Sequence, residues 1–293
     1  MKKIIKSFYN ILPCKIYIFW FIKHFISLPH NIYKYLHFKG EFKISVSNTK
    51  FLKMIHYGYE VENEVFWNGL ENCWEKKSLE IWLKLCNTSS IIFDIGANTG
   101  IFCLTAKCQN PNSKVFAFEP VDRVFEKLKK NISINNFDIN CYKIAVSNFN
   151  GKAFIYDTDT EHTYSVTVNQ NLNPSGIKTI KHEITTLTID NIIESENLNR
   201  IDLIKIDVET HEPEVLEGYL KYIKRDHPTL LIEILTNEIG ARVESILRNA
   251  GCNYLYFNID EKKGISLVDN ISKSYFHNYL LCSEKTASFL NLI

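Results

Sequence analysis

One stretch, residues 91–100, contains four residues that could hold a cofactor: Asp94, Gly96, Asn98 and Gly100. The stretch begins with a mostly apolar run, residues 91–95. A buried strand that leads into a glycine-containing turn and then into a helix creates a concave site rich in hydrogen-bond donors. Glycine lets the backbone of such a turn approach a bound ligand closely. The stretch therefore predicts a cofactor-binding turn made by these four residues.

The details of the turn disfavour two common ligands. A dinucleotide-binding turn needs glycines at positions 96, 98 and 101, where this chain has Gly96, Asn98 and Ile101. The Gly-Lys-Ser/Thr ending of a phosphate-binding loop is absent from this stretch. A carboxylate at Asp94 would repel a pyrophosphate, whereas it suits the ammonium group of an aminoacid-bearing sulfonium cofactor.

Glu119 closes the next apolar run, residues 115–118, nineteen residues beyond Gly100. An acid at the carboxyl end of a second strand can accept hydrogen bonds from both hydroxyls of a ribose. Together, Asp94 and Glu119 favour an adenosyl sulfonium nucleoside as the ligand. The structural alternative is that Asp94 caps the next helix and that Glu119 is a solvated acid at a strand end.

A second group of ionisable residues includes Asp207, Glu209 and His211. Residues 203–209 alternate with period two, so Lys205, Asp207 and Glu209 share one face of a strand. A general base accelerates the reaction of a hydroxyl nucleophile by ~10²–10⁴-fold, and Glu209, His211 or Asp207 could serve. The alternatives are a structural ion pair between Lys205 and Asp207, and a histidine that only caps the following helix.

Four other residues are weaker candidates. Glu233 interrupts an apolar run, and it either pairs with Lys205 or points into the pocket. His162, Tyr164 and His182 lie in or beside a polar segment, where they could contact a sugar or simply face solvent. Divalent metal use stays open because carboxylates are plentiful, although no Cys or His spacing demands a metal.

Three motifs together resemble the FkbM family of methyltransferases over about residues 55–285: Asp94-Ile-Gly-Ala-Asn-Thr-Gly100, Glu119-Pro120 and the run at 204–218. The resemblance implies S-adenosylmethionine as methyl donor and, commonly, O-methylation of sugars or natural-product hydroxyls. The chain has Thr210 and His211 where a glycine followed by a small residue is more frequent in the family. This difference leaves the cofactor site intact and affects the side of the site that binds the acceptor. We therefore expect an O-methyltransferase acting on a hydroxyl of a sugar or glycan precursor.

Two other functions stay open. One is a methyltransferase for another acceptor, namely a natural product, a protein or a nucleic acid. The other is a cofactor-binding interaction module without catalysis. The Asn-Pro-Pro-aromatic signature of many base N-methylases is missing, and the chain after residue 43 is net acidic, which disfavours binding to nucleic acid phosphates.

Short apolar runs separated by helical segments must position these groups. The runs are residues 91–95, 115–118, 141–146, 201–208, 230–235, 254–259 and 279–282. Their alternation with helices predicts the α/β fold of a Rossmann-like class I methyltransferase, with a mostly parallel seven-stranded sheet covered by helices on both faces. The last two runs could form an antiparallel edge pair. The predicted methyltransferase domain is 71–293, and it opens with an amphipathic helix at 74–85.

Residues 151–190 interrupt this alternation. Alternating apolar residues flank a polar stretch, residues 157–176, that is rich in Ser, Thr and Asn. The pattern predicts a β-hairpin-like insertion that carries a long loop.

The first part of the chain, residues 1–70, is predicted to be a helical extension. Residues 1–43 contain eight lysines and one acid, although the whole chain has a formal charge of only +1. This extension either packs on the main domain as a cap or lies on an anionic membrane, where its lysines and aromatic side chains would contact lipid. No apolar run approaches the ~20 residues of a membrane-spanning helix.

The eight cysteines are scattered and form no C-x-x-C pair. This usage indicates reduced, packed thiols in a cytoplasmic protein. If residues 1–43 contact a membrane, the protein would lie at the inner face of that membrane. The expected partner is a small-molecule or glycan acceptor, and no nucleic acid is expected.

Overall fold

The structure is a computed structural model that describes residues 15–157 and 180–293. Its helices are α1 (Lys15–Phe25), α2 (His30–Tyr33), α3 (Glu60–Asn68), α4 (Lys76–Cys86), α5 (Ile101–Gln109), α6 (Asp122–Asn135), α7 (Ile189–Ser195), α8 (Glu212–Glu217), α9 (Ile223–Asp226), α10 (Asn237–Asn249) and α11 (Glu284–Phe289). Its strands are β1 (Gly40–Ser45), β2 (Phe51–His56), β3 (Ile91–Ile95), β4 (Lys114–Phe118), β5 (Ile139–Tyr142), β6 (Ala145–Val146), β7 (Gly151–Asp157), β8 (Ile180–Leu187), β9 (Leu203–Ile206), β10 (Thr229–Glu233), β11 (Leu255–Asp260), β12 (Gly264–Val268) and β13 (Asn278–Cys282).

The largest sheet has the strand order β12-β11-β13-β10-β9-β3-β4-β5. Strands β10, β9, β3, β4 and β5 are parallel, whereas β13, β11 and β12 pair antiparallel. The α/β class and the mostly parallel sheet are thus confirmed. The chain moves outward from β3 to β5 and then returns to place β9 on the other side of β3. Open α/β sheets bind ligands at such a reversal of strand order.

The prediction of seven strands was wrong in two respects. Strand β12, which forms the sheet edge, was not predicted because its run of apolar residues is short and interrupted by Ser266, and none of its residues is buried. The run at 141–146 is divided between β5 and β6, and β6 belongs to a separate three-stranded sheet. The last two runs form the antiparallel pair β11 and β13, as expected, but neither is the edge strand.

Alternate residues of the central strands pack into two hydrophobic clusters. In β3, Ile92 belongs to one cluster, and Phe93 and Ile95 belong to the other. Helices α4 and α5 contribute to the first cluster, and helices α7, α8 and α10 contribute to the second. Burial of both faces explains why the central strands are continuous apolar runs in the sequence.

The insertion forms the predicted hairpin. Strands β7 and β8 pair antiparallel from Gly151 with Thr186 to Asp157 with Ile180, and β6 adds to β8 in parallel. The polar loop between these strands, with His162 and Tyr164, lies outside the described residues.

The prediction of helices and turns in the first part of the chain was wrong for residues 40–56, which form the antiparallel hairpin β1–β2. Phe42 and Ile44 are buried in β1, and Leu52 and Met54 are buried in β2, with exposed residues between them. This period-two pattern is typical of strands that cover a core. Residues on both sides of position 70 share one hydrophobic cluster, and the boundary at that position stays a prediction.

Within the described ranges, no helix is both long and apolar enough to cross a membrane. The cysteines of those ranges are unpaired thiols, and all of them except Cys141 are buried.

Candidate functional site

A cavity of about 360 Å³ opens at the carboxyl ends of β3, β4, β9 and β10. This volume and this position are typical of small-ligand sites in open α/β sheets. The sequence-predicted site residues on its wall are Gly96, Asn98, Glu119, Asp207, Glu209 and His211. Asp94 and Gly100 do not line it.

The turn after β3 is fixed against both neighbouring strands. The backbone N–H groups of Gly96 and Ala97 donate to the carbonyl oxygen of Phe118, with N···O distances of 3.0 and 2.9 Å. Gly96 has φ +81°, and a Cβ there would lie 1.8 Å from the carbonyl oxygen of Asp207. Glycine is therefore required because the protein's own backbone approaches closely, whereas the sequence suggested approach to a ligand.

Gly100 has a different structural role. It precedes α5 with φ +102°, and a Cβ there would lie 2.7 Å from Cδ1 of Leu128. Its conformation and the adjacent leucine, which belongs to α6, require a residue without a side chain. Gly100 thus shapes the turn without facing the cavity.

Asp94 lies behind the turn, with 1% of its surface exposed. Its Oδ2 accepts a hydrogen bond of 2.8 Å from the backbone N–H of Cys103, in the first turn of α5. Burial raises the pKa of Asp94 to about 6, against the opposing effects of Lys205 and the Cys103 hydrogen bond. Asp94 thus caps α5 through Oδ2, while its Oδ1 has no hydrogen-bond partner among the described residues, and contact with a cofactor stays a prediction.

Glu119 is 6% exposed and faces the cavity at the end of β4, so the alternative of a solvated acid is wrong. Its Oε2 accepts from the N–H of Asn98 at 3.1 Å, and its Oε1 accepts from the N–H of Val121 at 2.9 Å. Burial raises the pKa of Glu119 to about 7, although these two bonds and Arg123 oppose the shift. Each carboxylate oxygen keeps capacity for a further donor, such as a ribose hydroxyl.

Lys205 and Asp207 form the ion pair that the alternation suggested, with 2.7 Å between Nζ and Oδ2. Burial lowers the pKa of Lys205, but the carboxylates of Asp207, Glu75 and Asp94 together raise it above its ordinary value. The lysine therefore stays protonated and holds Asp207 in place.

Glu209 and Thr210 both have left-handed backbone conformations, with φ of +53° and +78°. The buried carboxylate of Glu212 stabilises this loop, because its Oε1 accepts from the N–H groups of Val208 and Thr210 at 3.2 Å each. Glu209 thus lines the cavity from a tightly bent loop. A β-branched residue is rarely found at a φ such as that of Thr210.

His211 lines the cavity immediately before α8, and its side chain makes no capping hydrogen bond. Its Nε2 lies 3.0 Å from Oγ of Ser147, and its Nδ1 lies 3.6 Å from Oε2 of Glu214. Burial lowers the pKa of His211, with Glu214 acting against the shift and Arg242 adding to it. A neutral imidazole that faces the cavity can accept a proton.

Glu233 lines the cavity at the end of β10, beside the ion pair, and its Oε2 has no hydrogen-bond partner in the described part of the chain. Burial raises its pKa to about 10; Asp207 and Glu209 add to the shift, whereas Lys205 opposes it. Of the two alternatives for this acid, the pocket position is the one observed.

Three further residues of the cavity wall were not predicted from the sequence: Glu60, Trp74 and Glu75. Glu75 accepts a hydrogen bond of 2.8 Å from Nδ2 of Asn278, and burial raises its pKa to about 7. No motif marks these residues, because they reach the site only through tertiary packing. His182, by contrast, is exposed on β8 and is not part of the cavity wall.

Among the described residues, no group of three or more His, Cys, Asp or Glu side chains could hold a metal ion. The acids on the cavity wall face a common space. The cation paired with Asp207 in this space is Lys205.

A Rossmann-like sheet with a cavity at its strand reversal and a buried acid after its second parallel strand are features of α/β enzymes that bind a nucleoside-containing cofactor, a class that includes the S-adenosylmethionine-dependent methyltransferases. Residues 94–256 match the family model described as the methyltransferase FkbM domain. The chain therefore belongs to the FkbM family of methyltransferases.

Several known proteins are similar to this chain. Methyltransferase 1 of Beauveria bassiana is 28% identical over 145 residues, which cover 44% of this chain and 58% of that protein. The hexuronic acid methyltransferase AglP of Haloferax volcanii is 26% identical over 157 residues, which cover 53% of this chain and 60% of that protein. The matches thus span less than two thirds of the length of each of these two relatives. The crystal structure of methyltransferase FkbM from Methylobacillus flagellatus is 16% identical, with a TM-score of 0.42, and the match covers 66% of this chain and 43% of that one.

Proposed function

We propose that the protein transfers a methyl group from S-adenosylmethionine to a hydroxyl of a sugar or glycan precursor. The observation that carries the proposal is that a buried acid, Glu119, and a histidine with a lowered pKa, His211, line the same cavity. The first residue suits a ribose, and the second suits a hydroxyl that must lose its proton. A relative that is named a hexuronic acid methyltransferase supports a sugar as the acceptor.

The cofactor half of the cavity is the turn after β3 together with Glu119. We assign the ribose hydroxyls to the carboxylate of Glu119, with Gly96 and Asn98 forming the wall beside it. S-adenosylmethionine, when bound, supplies a methyl group on a positively charged sulfur. The cavity suits that positive charge, because its wall contains the carboxylates of Glu60, Glu75, Glu119, Asp207 and Glu209 and a single lysine. The same acids would repel the phosphates of a nucleic acid.

We assign the role of general base to His211. Its lowered pKa keeps the imidazole neutral at pH 7, so the ring can take the proton of the acceptor hydroxyl. The carboxylate of Glu214 near Nδ1 favours the tautomer with a proton on that nitrogen. Nε2 then accepts the hydrogen bond from Oγ of Ser147, and the acceptor hydroxyl must displace that serine for its proton to reach the same lone pair.

The other two predicted catalytic residues fit supporting roles. The carboxylate of Asp207 is already engaged in the ion pair with Lys205. Glu209 faces the cavity and can accept a hydrogen bond from a second hydroxyl of a sugar. With a pKa raised to about 10, Glu233 is protonated at neutral pH and can donate to an acceptor oxygen.

A transfer assay with methyl-labelled S-adenosylmethionine tests this function. The acceptor panel contains hexose and hexuronic acid oligosaccharides, an unrelated protein and RNA. We expect label on a sugar, and we expect His211→Asn to lower kcat by ~10²–10⁴-fold with unchanged cofactor affinity. The control is His182→Asn, which changes an exposed histidine away from the cavity.

The outcomes separate the alternatives. Label on protein or RNA and on no sugar would assign a different acceptor class. Cofactor binding without turnover on any acceptor would favour an interaction module. A full rate in the His211 variant would remove this residue from the mechanism.

A further inference from the structure

Helix α1 has apolar residues on two opposite faces. On its inner face, Phe19 is only 3% exposed, and Ile16 and Ile22 pack against the core. Its outer aromatic face consists of residues with 61–72% of their surface exposed: Tyr17, Trp20, Phe21 and Phe25. A helix that is apolar all round is normally buried on all sides, so the outer aromatic face indicates a missing partner.

The inner face holds α1 firmly on α3. The ring of Phe19 lies 5.6 Å from that of Trp67, and the ammonium of Lys23 donates to the carbonyl oxygen of Phe66. The ring of Phe66 also lies 5.2 Å from the same ammonium. These contacts fix the orientation of α1, so the outer aromatic face is displayed away from the core.

The segment that carries this face is positively charged, although Lys23 is engaged on the inner side. Residues 15–43 contain five lysines and one acid, Glu41. Lys34 and Lys39 are exposed, and Ile32 and Tyr35 extend the exposed apolar surface beyond α1. Tryptophan and tyrosine next to lysine are typical of surfaces that rest in the headgroup region of a bilayer.

We propose that the outer aromatic face of α1 docks on an anionic lipid bilayer. The aromatic side chains would enter the boundary between headgroups and acyl chains, and the lysines would remain among the lipid phosphates. The positive charge favours an anionic membrane over an apolar protein partner. This proposal does not depend on which acceptor is methylated.

Docking would also place the cavity near the membrane. Helix α3 contacts α1 through Phe66 and Trp67 at one end, and its Glu60 and Val61 line the cavity at the other end. A helix of nine residues is ~13 Å long, so the cavity lies about one such length from α1, and the docked face lies a helix diameter of ~10 Å further out. An acceptor attached to a membrane lipid could reach the cavity from there.

Vesicle sedimentation of the full-length protein tests the proposal. The probes are vesicles of phosphatidylcholine alone and of phosphatidylcholine mixed with phosphatidylglycerol. The test variant is Trp20→Ser with Phe21→Ser. The matched control is Tyr275→Ser with Phe289→Ser, which removes two exposed aromatics from the C-terminal part of the chain.

We expect the wild type and the control to sediment with the mixed vesicles, and less so as the salt concentration rises. The test variant should bind at least about tenfold more weakly, because it loses the burial of two aromatic side chains. Its thermal unfolding should match that of the wild type, since both residues are exposed.

Three results would overturn the proposal. The wild type could remain in the supernatant with the mixed vesicles, or the test variant could sediment as well as the wild type. The third is a wild-type dimer in lipid-free sedimentation equilibrium that the test variant lacks, with no binding to vesicles. That last result would assign the face to contact between two copies of the chain.

Discussion

Replacing Glu119 by glutamine should separate two effects of this buried acid: its effect on the free energy of unfolding and its effect on cofactor affinity. In the folded protein its pKa is raised from 4.5 to about 7, mainly by burial. Because the folded state then binds the proton more tightly than the unfolded state, this acid stabilises the fold fully below pH 4.5. The stabilisation is lost as the pH rises through 7.

The separation between these two pKa values sets the size of the effect. At about 1.4 kcal/mol for each pH unit, raising the pKa from 4.5 to about 7 corresponds to about 3 kcal/mol. Between pH 4.5 and a pH above 7, the wild type should therefore lose about 3 kcal/mol more unfolding free energy than Glu119→Gln. Other buried acids titrate in both proteins, so their contributions cancel in the difference.

Cofactor affinity should change in the opposite direction with pH. An ionised carboxylate accepts hydrogen bonds from ribose hydroxyls more strongly than a protonated one does. Affinity of the wild type should thus rise through pH 7 while its stability falls. Glu119→Gln should bind the cofactor ~10-fold or more weakly, and it should lack this pH dependence.

Urea denaturation and isothermal titration with S-adenosylmethionine, each at several pH values, measure the two effects. If stability of the wild type and of Glu119→Gln changed in parallel with pH, the raised pKa would be wrong. If cofactor affinity were equal in the two proteins, the ribose assignment would be wrong.

Three further substitutions test the packing around the site. Gly96→Ala should lower the unfolding free energy by more than ~2 kcal/mol, because its Cβ would meet the carbonyl oxygen of Asp207. The control is Gly264→Ala, which is also at positive φ but in open space, and equal losses in the two variants would contradict the steric reason. Lys205→Met should lower the free energy of unfolding, measured by urea denaturation, by ~3–5 kcal/mol at pH 8 and by less at pH 5, where the neighbouring acids take up protons. A loss that does not depend on pH would argue against the charge network. Thr210→Gly should raise the thermal midpoint by relieving ~1 kcal/mol of strain at φ +78°, and a lowered midpoint would mean that the side chain contributes more than the strain removes.

The sequence was sufficient for the inner strands of the main sheet because these strands are buried on both faces. Ile92, Phe93 and Ile95 show the reason, since neighbours in one strand pack into opposite clusters and leave a continuous apolar run. The hairpin β1–β2 was missed, although Phe42 and Ile44 alternate with polar residues. Its pattern covers few residues, and the adjacent lysines and aromatics suggested helices.

The site was predicted in outline, and the roles of single residues were harder to assign. The positions of Glu119 and His211 follow from the rule that chemistry lies at the carboxyl ends of strands. Asp94 and Gly96 were interpreted as cofactor contacts, and the structure adds a structural role for each: Asp94 accepts from the backbone of α5, and Gly96 lies on the cavity wall against the backbone of Asp207. Side chains such as Glu75 enter the cavity from a distant part of the chain, and no local pattern indicates that placement.

A crystal structure with S-adenosylhomocysteine, the demethylated form of the cofactor, would show whether Glu119 binds the ribose. We expect the nucleoside in the cavity at the end of β4, with both ribose hydroxyl oxygens ~2.5–3.0 Å from the carboxylate of Glu119. A nucleoside bound elsewhere, or a ribose that does not contact Glu119, would contradict this expectation.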